Sequence, residues 1–189
     1  MATSVPGAPL TYPAARLLQE PPGSTRTYEV AGVMIDPGEG LRLADAIEGR
    51  VEVVRTNRGL FVRSHLTTSL DAECSRCLRE IEVPIELEIE EEALPSIDIA
   101  TGKPLDMSAE PEVLRLNGHH ELELEQPVRE AIQLAEPIAA VCEESCQGLC
   151  AECGERREPG HAHDYTPIDP RLEALRASRV ASDGESAPN

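Results

Sequence analysis

Every cysteine of this 189-residue chain lies in one of two short clusters, and a pair of histidines follows the second cluster. The first cluster is a Cys-x2-Cys pair, and the second holds four cysteines within a dozen residues. Such spacings are typical of Zn²⁺ sites, because the ion takes four sulfur or nitrogen ligands and one turn of chain can supply two of them. The candidate metal ligands are Cys74, Cys77, Cys142, Cys146, Cys150, Cys153, His161 and His163.

Eight donors would complete at most two tetrahedral sites, and we predict one or two structural zinc ions. Separation along a chain does not report distance in space, so Cys74 and Cys77 either join donors of the second cluster or stand alone. The four-cysteine cluster indicates metal binding more strongly than His161 and His163 do. An exposed His-x-His pair is also common without a metal.

A Cys-x2-Cys pair can also exchange disulfides, so a thiol redox protein is an alternative. Redox pairs usually open a helix that follows a strand, where the helix N-terminus lowers the thiol pKa. Cys74 and Cys77 instead fall between two alternating segments. We recognise no paired general acid and base, Ser-His-Asp arrangement or phosphate-binding glycine loop, and therefore predict that the protein is not an enzyme.

The segments on either side of Cys74 and Cys77 alternate apolar and polar residues, which predicts two antiparallel strands with the cysteines at the tip between them. Residues 60–74 form the first strand, and residues 81–90 form the second. Pro84 places the second strand at a sheet edge, or leaves its outer side free. Further strands are predicted at 27–35, 50–55 and 121–125, and helices at 14–20, between Pro127 and Pro137, and from Asp169.

These elements predict one α+β domain with a mainly antiparallel, curved or barrel-like β-sheet, two or three helices and a C-terminal zinc-binding segment. We expect a disordered N-terminus over residues 1–13 and a single domain over 14–177. Within it lie a long loop at 93–118 and a cysteine-rich segment at 142–163. Residues 178–189 are predicted to be a disordered tail.

The net charge of -18, from 35 acidic and 17 basic residues, disfavours general nucleic-acid binding, because the chain would repel a polyanion. One arginine-rich stretch is either an ordinary solvated face or a site of limited rRNA contact. It contains Arg50, Arg55, Arg58, Arg63, Arg76 and Arg79. The row of Glu86, Glu88 and Glu90 is either a docking face for a basic partner or a solvated face that prevents aggregation.

No targeting or membrane segment is recognised. The first residues lack a basic stretch that leads into an apolar run, so we expect no signal peptide. No apolar segment approaches the roughly 18–20 residues of a membrane helix. We predict a cytoplasmic location without membrane contact, where thiols stay reduced and clustered cysteines bind metal more often than they form disulfides.

Several short motifs resemble, in order and spacing, the YceD family of bacterial and plastid proteins. They lie at residues 17–21, 23–30, 55–60, 74–78, 142–154 and 169–175, so the resemblance covers about residues 14–177. Where cysteine-rich members of the family often continue with a Cys-x-Cys pair, this chain has His161-Ala162-His163. Because imidazole can replace thiolate on zinc, this departure keeps the donor chemistry.

The resemblance implies ribosome biogenesis, namely support of the synthesis, processing or stability of large-subunit (23S) rRNA. We expect the protein to act through a basic ribosomal protein, an assembly factor or a large-subunit assembly intermediate, since its charge suits a basic partner. A zinc-stabilised adaptor or regulator unrelated to ribosomes is the alternative.

Overall fold

The computed structural model describes residues 10–106, 108, 110 and 112–163, which form mostly β-sheet with two helices. The predictions for a last helix from Asp169 and for a tail lie outside these residues. The elements are, in order, β1 (Thr11–Pro13), α1 (Ala15–Leu18), β2 (Thr25–Val33), β3 (Ile47–Arg55), β4 (Leu60–Glu73), β5 (Glu80–Leu94), β6 (Leu114–Arg115), β7 (Glu121–Glu123) and α2 (Glu125–Ala135).

The main sheet has five strands in the order β2-β3-β4-β5-β6, and a separate two-stranded sheet pairs β1 with β7. Neighbouring strands are antiparallel except β5 and β6, which are parallel. Strands β2 and β6 lie at opposite edges, so the prediction of a barrel-like sheet is corrected to an open sheet. Closure is unnecessary because α2 and the residues around β1 and β7 cover the inner face and join the same core.

The long β4–β5 hairpin follows directly from residue alternation and confirms the prediction for this region. Along β4, apolar Leu60, Val62 and Leu66 are buried on the same face as Ser64, while Arg63 and His65 on the other face are exposed. Leu66 lies opposite Leu87 on the buried face, and Arg63 lies opposite Glu90 on the outer face. The 15 residues of β5 span roughly 45–50 Å, so this hairpin carries its tip far from its open end.

The N-terminal boundary differs from the sequence prediction. Leu10 is buried in the core, and its carbonyl accepts a 2.9 Å hydrogen bond from the Leu124 N–H. Strand β1 then pairs with β7, with Thr11 opposite Glu123. Residues 10–13 are therefore part of the fold, because the apolar Leu10 packs into the core and the strand after it finds a partner.

Helix α2 connects the sheet to the cysteine-rich segment. It begins two residues before the predicted Pro127, which the first turn tolerates because its N–H groups have no partner within the helix. Val128 and Ile132 are fully buried, as the predicted apolar stripe requires. The helix ends at Ala135 because Glu136, the residue before Pro137, adopts an extended conformation.

The predicted long loop at 93–118 begins later and contains a strand. Strand β5 continues to Leu94, and β6 pairs in parallel with Ala93 and Leu94. Leu116 is buried beside it in the core. The short strand was not visible in the sequence because two residues are too few for an alternation signal.

Candidate metal centres

Residues 74–79 form the turn that joins β4 to β5, which we call the first knuckle. The Cys74 N–H donates to the Arg79 carbonyl at 2.8 Å, and the Leu78 N–H donates to the Cys74 carbonyl at 2.8 Å. These bonds close a tight turn in which Leu78 has a φ of 55°. Both thiols, of Cys74 and Cys77, are buried.

Residues 150–155 repeat this hydrogen-bond pattern, and we call them the second knuckle. The Cys150 N–H donates to the Glu155 carbonyl at 2.7 Å, and the Gly154 N–H donates to the Cys150 carbonyl at 2.8 Å. Gly154, at the position of Leu78, has a φ of 74°. This left-handed conformation is free for glycine but costs other residues roughly 1–2 kcal/mol.

The first knuckle meets two cysteines of the second cluster to form centre A, which consists of Cys74, Cys77, Cys142 and Cys146. The Sγ atoms of Cys77 and Cys142 are 3.7 Å apart, and those of Cys74 and Cys146 are 3.9 Å apart. Four sulfurs at about 2.3 Å from one zinc ion would be separated by about 3.8 Å. These residues therefore fit a tetrahedral ion with four thiolate ligands.

The second knuckle meets the two histidines to form centre B, which consists of Cys150, Cys153, His161 and His163. The Cys153 Sγ and the His161 Nε2 are 3.5 Å apart. A zinc ion at its usual distances from sulfur and nitrogen would place them about 3.5–3.6 Å apart. In both centres the potential ligand atoms lie within 4.8 Å of one another, so each could hold a metal ion.

The structure thus brings together all eight predicted donors, in two groups that the sequence left undecided. The contiguous second cluster is divided, because its first two cysteines join the first knuckle and its last two join the histidines. Among the described residues these are the groups whose donors are close enough to share an ion.

The fold shifts the pKa of thiols in both centres in a way that favours a bound cation. In centre A, hydrogen bonds from the backbone N–H groups of Cys142, Arg76 and Cys77 lower the pKa of Cys74 to about 6. In centre B, hydrogen bonds from the backbone N–H groups of Cys153 and Glu152 and from the His161 ring lower the pKa of Cys150 to about 6. Burial and the neighbouring thiols raise the pKa of Cys142 to about 12. A second thiolate is therefore unfavourable until a divalent ion compensates its charge.

Hydrogen bonds outside the thiols fix the first knuckle to the segment after α2. The Ser75 N–H and Oγ donate to the Ala140 carbonyl at 2.8 and 2.5 Å. The Arg76 guanidinium donates to the carbonyls of Glu144 and Cys146 at 2.9 and 3.0 Å. The backbone around the other two ligands of centre A, Cys142 and Cys146, is thereby held against the hairpin tip.

Arg156, directly after the second knuckle, makes the reciprocal contact to the first knuckle. Its Nε donates to the Cys77 carbonyl at 3.1 Å and its Nη2 to the Leu78 carbonyl at 3.4 Å. The Leu149 N–H also donates to the Arg76 carbonyl at 3.1 Å. Arg156 carries no signal of this role in the sequence, and only the repeated Cys-x2-Cys spacing could have suggested that the knuckles pair.

The arginine stretch proposed for limited rRNA contact is largely occupied within the fold. Arg55 donates to the carbonyls of Leu18 and Gly59, and Arg76 serves centre A as described. Arg58 pairs with Glu110, and Arg63 pairs with Glu90 at 2.7 Å. Within the described ranges, Arg50 and Arg79 are exposed and make no ion pair.

The acidic row on β5 is partly neutralised on the same face. Glu90 pairs with Arg63, and the Glu88 Oε1 lies 3.5 Å from the His65 Nδ1. Glu86 lies opposite the uncharged Thr67. Towards the hairpin tip the cross-strand neighbours become alike in charge, because Asp71 lies opposite Glu82 and Glu73 opposite Glu80.

The structure defines a class of protein: an open antiparallel sheet whose central hairpin ends in a cysteine knuckle, packed against a second knuckle. No helix in the described part of the chain has the length and apolarity needed to cross a membrane. No solved structure matches the chain.

A family model described as "Large ribosomal RNA subunit accumulation protein YceD" matches residues 62–177. The chain belongs to the YceD family. An uncharacterized protein of Mycobacterium tuberculosis and one of Mycobacterium bovis are each 33% identical over 178 residues, which cover 89% of this chain and 80% of the relative. An uncharacterized protein of Mycobacterium leprae is 31% identical over 123 residues, or 64% of this chain and 52% of the relative.

Proposed function

We propose that this chain is a non-enzymatic ribosome-biogenesis factor that supports 23S rRNA synthesis, processing or stability by binding a basic ribosomal protein or assembly factor. The family description, which links the family to accumulation of large-subunit rRNA, is the observation that carries this proposal. Its metal centres would be structural and would hold the C-terminal segment against the sheet.

The donor sets support zinc as the metal. Thiolate and imidazole ligands in tetrahedral groups suit Zn²⁺, whereas Mg²⁺ and Ca²⁺ prefer oxygen ligands. Each centre offers four protein ligands, which is typical of structural rather than catalytic zinc. This closed ligand set supports a role for the metal in folding.

The charge distribution supports a basic protein partner over RNA. The net charge of -18 favours encounter with a positively charged surface and opposes encounter with a polyanion. Most arginines proposed for RNA contact bind carbonyls or carboxylates within the fold. Glu86, in the acidic row, lies opposite the uncharged Thr67 on the neighbouring strand.

The proposed function is tested in cells that lack the endogenous protein. Restoring the chain should raise the ratio of 23S to 16S rRNA, and the tagged chain should sediment with large-subunit precursors. Glu86→Lys with Glu88→Lys should abolish this sedimentation, whereas Glu130→Lys with Glu136→Lys, on and beside α2, should not. An unchanged rRNA ratio after removal and restoration would refute the role.

The thiol redox alternative rests on the lowered pKa of Cys74 and Cys150. Titration of the native chain with a thiol reagent separates the two functions. A structural metal protein should react slowly until a strong chelator is added. Prompt modification of all six cysteines in metal-replete protein would favour redox chemistry.

A further inference from the structure

We propose that Leu78, on the first knuckle, is the apolar anchor of a docking site for a basic protein segment. This inference rests on the proposed function, and it extends the partner's contact from the acidic row on β5 to the metal end of the molecule.

The two knuckles provide an internal comparison for Leu78. They share one hydrogen-bond pattern, yet the left-handed position is Gly154 in the second and Leu78 in the first. The turn therefore does not require a side chain there, and leucine is strained in this conformation. Leu78 is 56% exposed, so burial in the core does not account for it either. A strained, exposed apolar residue on a rigid turn points to a contact with something outside the chain.

The surroundings of Leu78 extend the apolar contact. The Arg156 side chain donates to the Leu78 carbonyl, and Arg156 also forms an antiparallel β-bridge with Leu149. Leu149 is 37% exposed. Leu149 lies directly before the second knuckle, and hydrogen bonds hold that knuckle against the first, which carries Leu78. Such a rigid surface loses little conformational entropy when a partner binds.

The charge around the knuckles identifies the partner as basic. Residues 71–82 and 142–163 contain nine carboxylates and four arginines. Two of these arginines, Arg76 and Arg156, bind backbone carbonyls. Beside the first knuckle, a groove of about 710 Å³ is lined by Asp71, Glu73, Glu80 and Glu82, together with Arg42.

Within that groove, carboxylates face each other across the strands. Asp71 lies opposite Glu82, and Arg42 pairs with Asp71 at 3.7 Å. Glu73 lies opposite Glu80, neither has an ion pair among the described residues, and a further positive charge would relieve their repulsion. A segment with an apolar residue on Leu78 and Lys or Arg side chains in the groove would satisfy both features. RNA would be repelled by the same carboxylates.

The test uses the full-length, zinc-loaded chain and the proteins of the large ribosomal subunit freed of rRNA. A photo-reactive amino acid at position 78 should cross-link to a basic protein from this mixture. The same group at position 105 should not, since Leu105 is 39% exposed but lies near the opposite end of β5. The cross-linked protein is identified, purified and titrated against each variant.

Two variants at position 78 separate docking from folding. Leu78→Gly relieves the strain, and Leu78→Asn keeps a residue that tolerates the left-handed conformation. Both should keep the metal content of the wild type and unfold at or above its midpoint, yet weaken binding of the cross-linked protein by about tenfold or more, as loss of an anchor does. Leu105→Gly should bind normally.

Unchanged affinity of both position-78 variants would refute the role of Leu78 as an anchor. Cross-links only to rRNA, when intact subunits are used, would refute it as well. If the wild-type chain still sediments with large-subunit precursors and restores 23S rRNA, the proposed function stands without it. If the wild-type chain binds no large-subunit protein and restores no rRNA, both fail.

Discussion

Centre A joins parts of the chain that are far apart in sequence, whereas centre B lies within one short segment. In centre A, Cys77 and Cys142 are 65 residues apart, while Cys153 and His161 in centre B are eight apart. Two ligands of centre A are buried, but Cys153 and His163 in centre B are exposed. The two centres share a knuckle geometry and differ in what they connect.

This difference indicates that the two similar ligand sets have different structural roles. An ion at centre A would fix the C-terminal segment to the hairpin, and its binding energy would contribute to tertiary stability. An ion at centre B would order only residues 150–163. We therefore expect centre A to hold its metal tightly and centre B to exchange it readily.

The largest expected effect is loss of a ligand in centre A. Cys77→Ser should remove one metal ion and lower the free energy of unfolding by about 4 kcal/mol when free zinc is a thousandfold above its Kd. Cys153→Ser, the matched change in centre B, should also remove one ion but lower that energy by less than about 1 kcal/mol, because the ligands of centre B lie in one short segment that can bind zinc when the rest of the chain is unfolded. Urea denaturation with elemental analysis measures both, and equal losses of stability would contradict the comparison.

Chelation should separate the centres in time. With a strong chelator in excess, the exposed centre B should lose its ion first, and the buried centre A should follow much more slowly. A chromogenic chelator records the release as two phases of equal amplitude. In the Cys153→Ser variant the fast phase should vanish, and a single phase in the wild-type chain would show that the centres do not differ.

Substitutions at two glycines test how much the contact between the knuckles contributes to stability. Gly148 and Gly154 have similar φ values of 77° and 74°, but a Cβ at Gly148 would lie 2.9 Å from the Arg76 carbonyl, whereas at Gly154 it would meet nothing within 4 Å. Gly154→Ala should cost about 1 kcal/mol, and Gly148→Ala about 2–3 kcal/mol because it also separates the knuckles. Thermal unfolding measures both costs, and equal costs would argue against a tight contact.

The smallest expected effect concerns Arg156, which reaches across to the first knuckle. Arg156→Ala should lower the free energy of unfolding by about 1 kcal/mol, because the Cys77 and Leu78 carbonyls remain partly accessible to water after the change. It should also speed metal release from centre A while leaving centre B unaffected. Unchanged release from centre A would show that this clamp has no role there.

The sheet was predictable where its residues alternate strongly. Strands β4 and β5 have long runs with one apolar face, so their pairing and the position of Cys74 and Cys77 at the tip follow from the sequence, although β5 continues to Leu94, beyond its predicted end at residue 90. Strand β1 was missed because a three-residue strand containing a proline gives no periodic signal, and its pairing with β7 depends on long-range packing. The open form of the sheet also depends on what covers its inner face.

The donors of the candidate centres were predictable, but their grouping was not. Thiols and imidazoles at short spacing identify themselves by residue type, whereas the assignment of Cys142 and Cys146 to the first knuckle depends on how α2 returns the chain to the hairpin tip. The equivalence of Leu78 and Gly154 was hidden for a similar reason, because leucine does not signal a left-handed conformation.

Two separate metal ions should bind the protein, one at each centre. Elemental analysis of reduced, full-length protein counts them in the wild type and in the Cys77→Ser and Cys153→Ser variants. We expect two zinc ions per chain in the wild type and one in each variant. A single ion that either substitution removes, or no ion in any of the three proteins, would contradict this expectation.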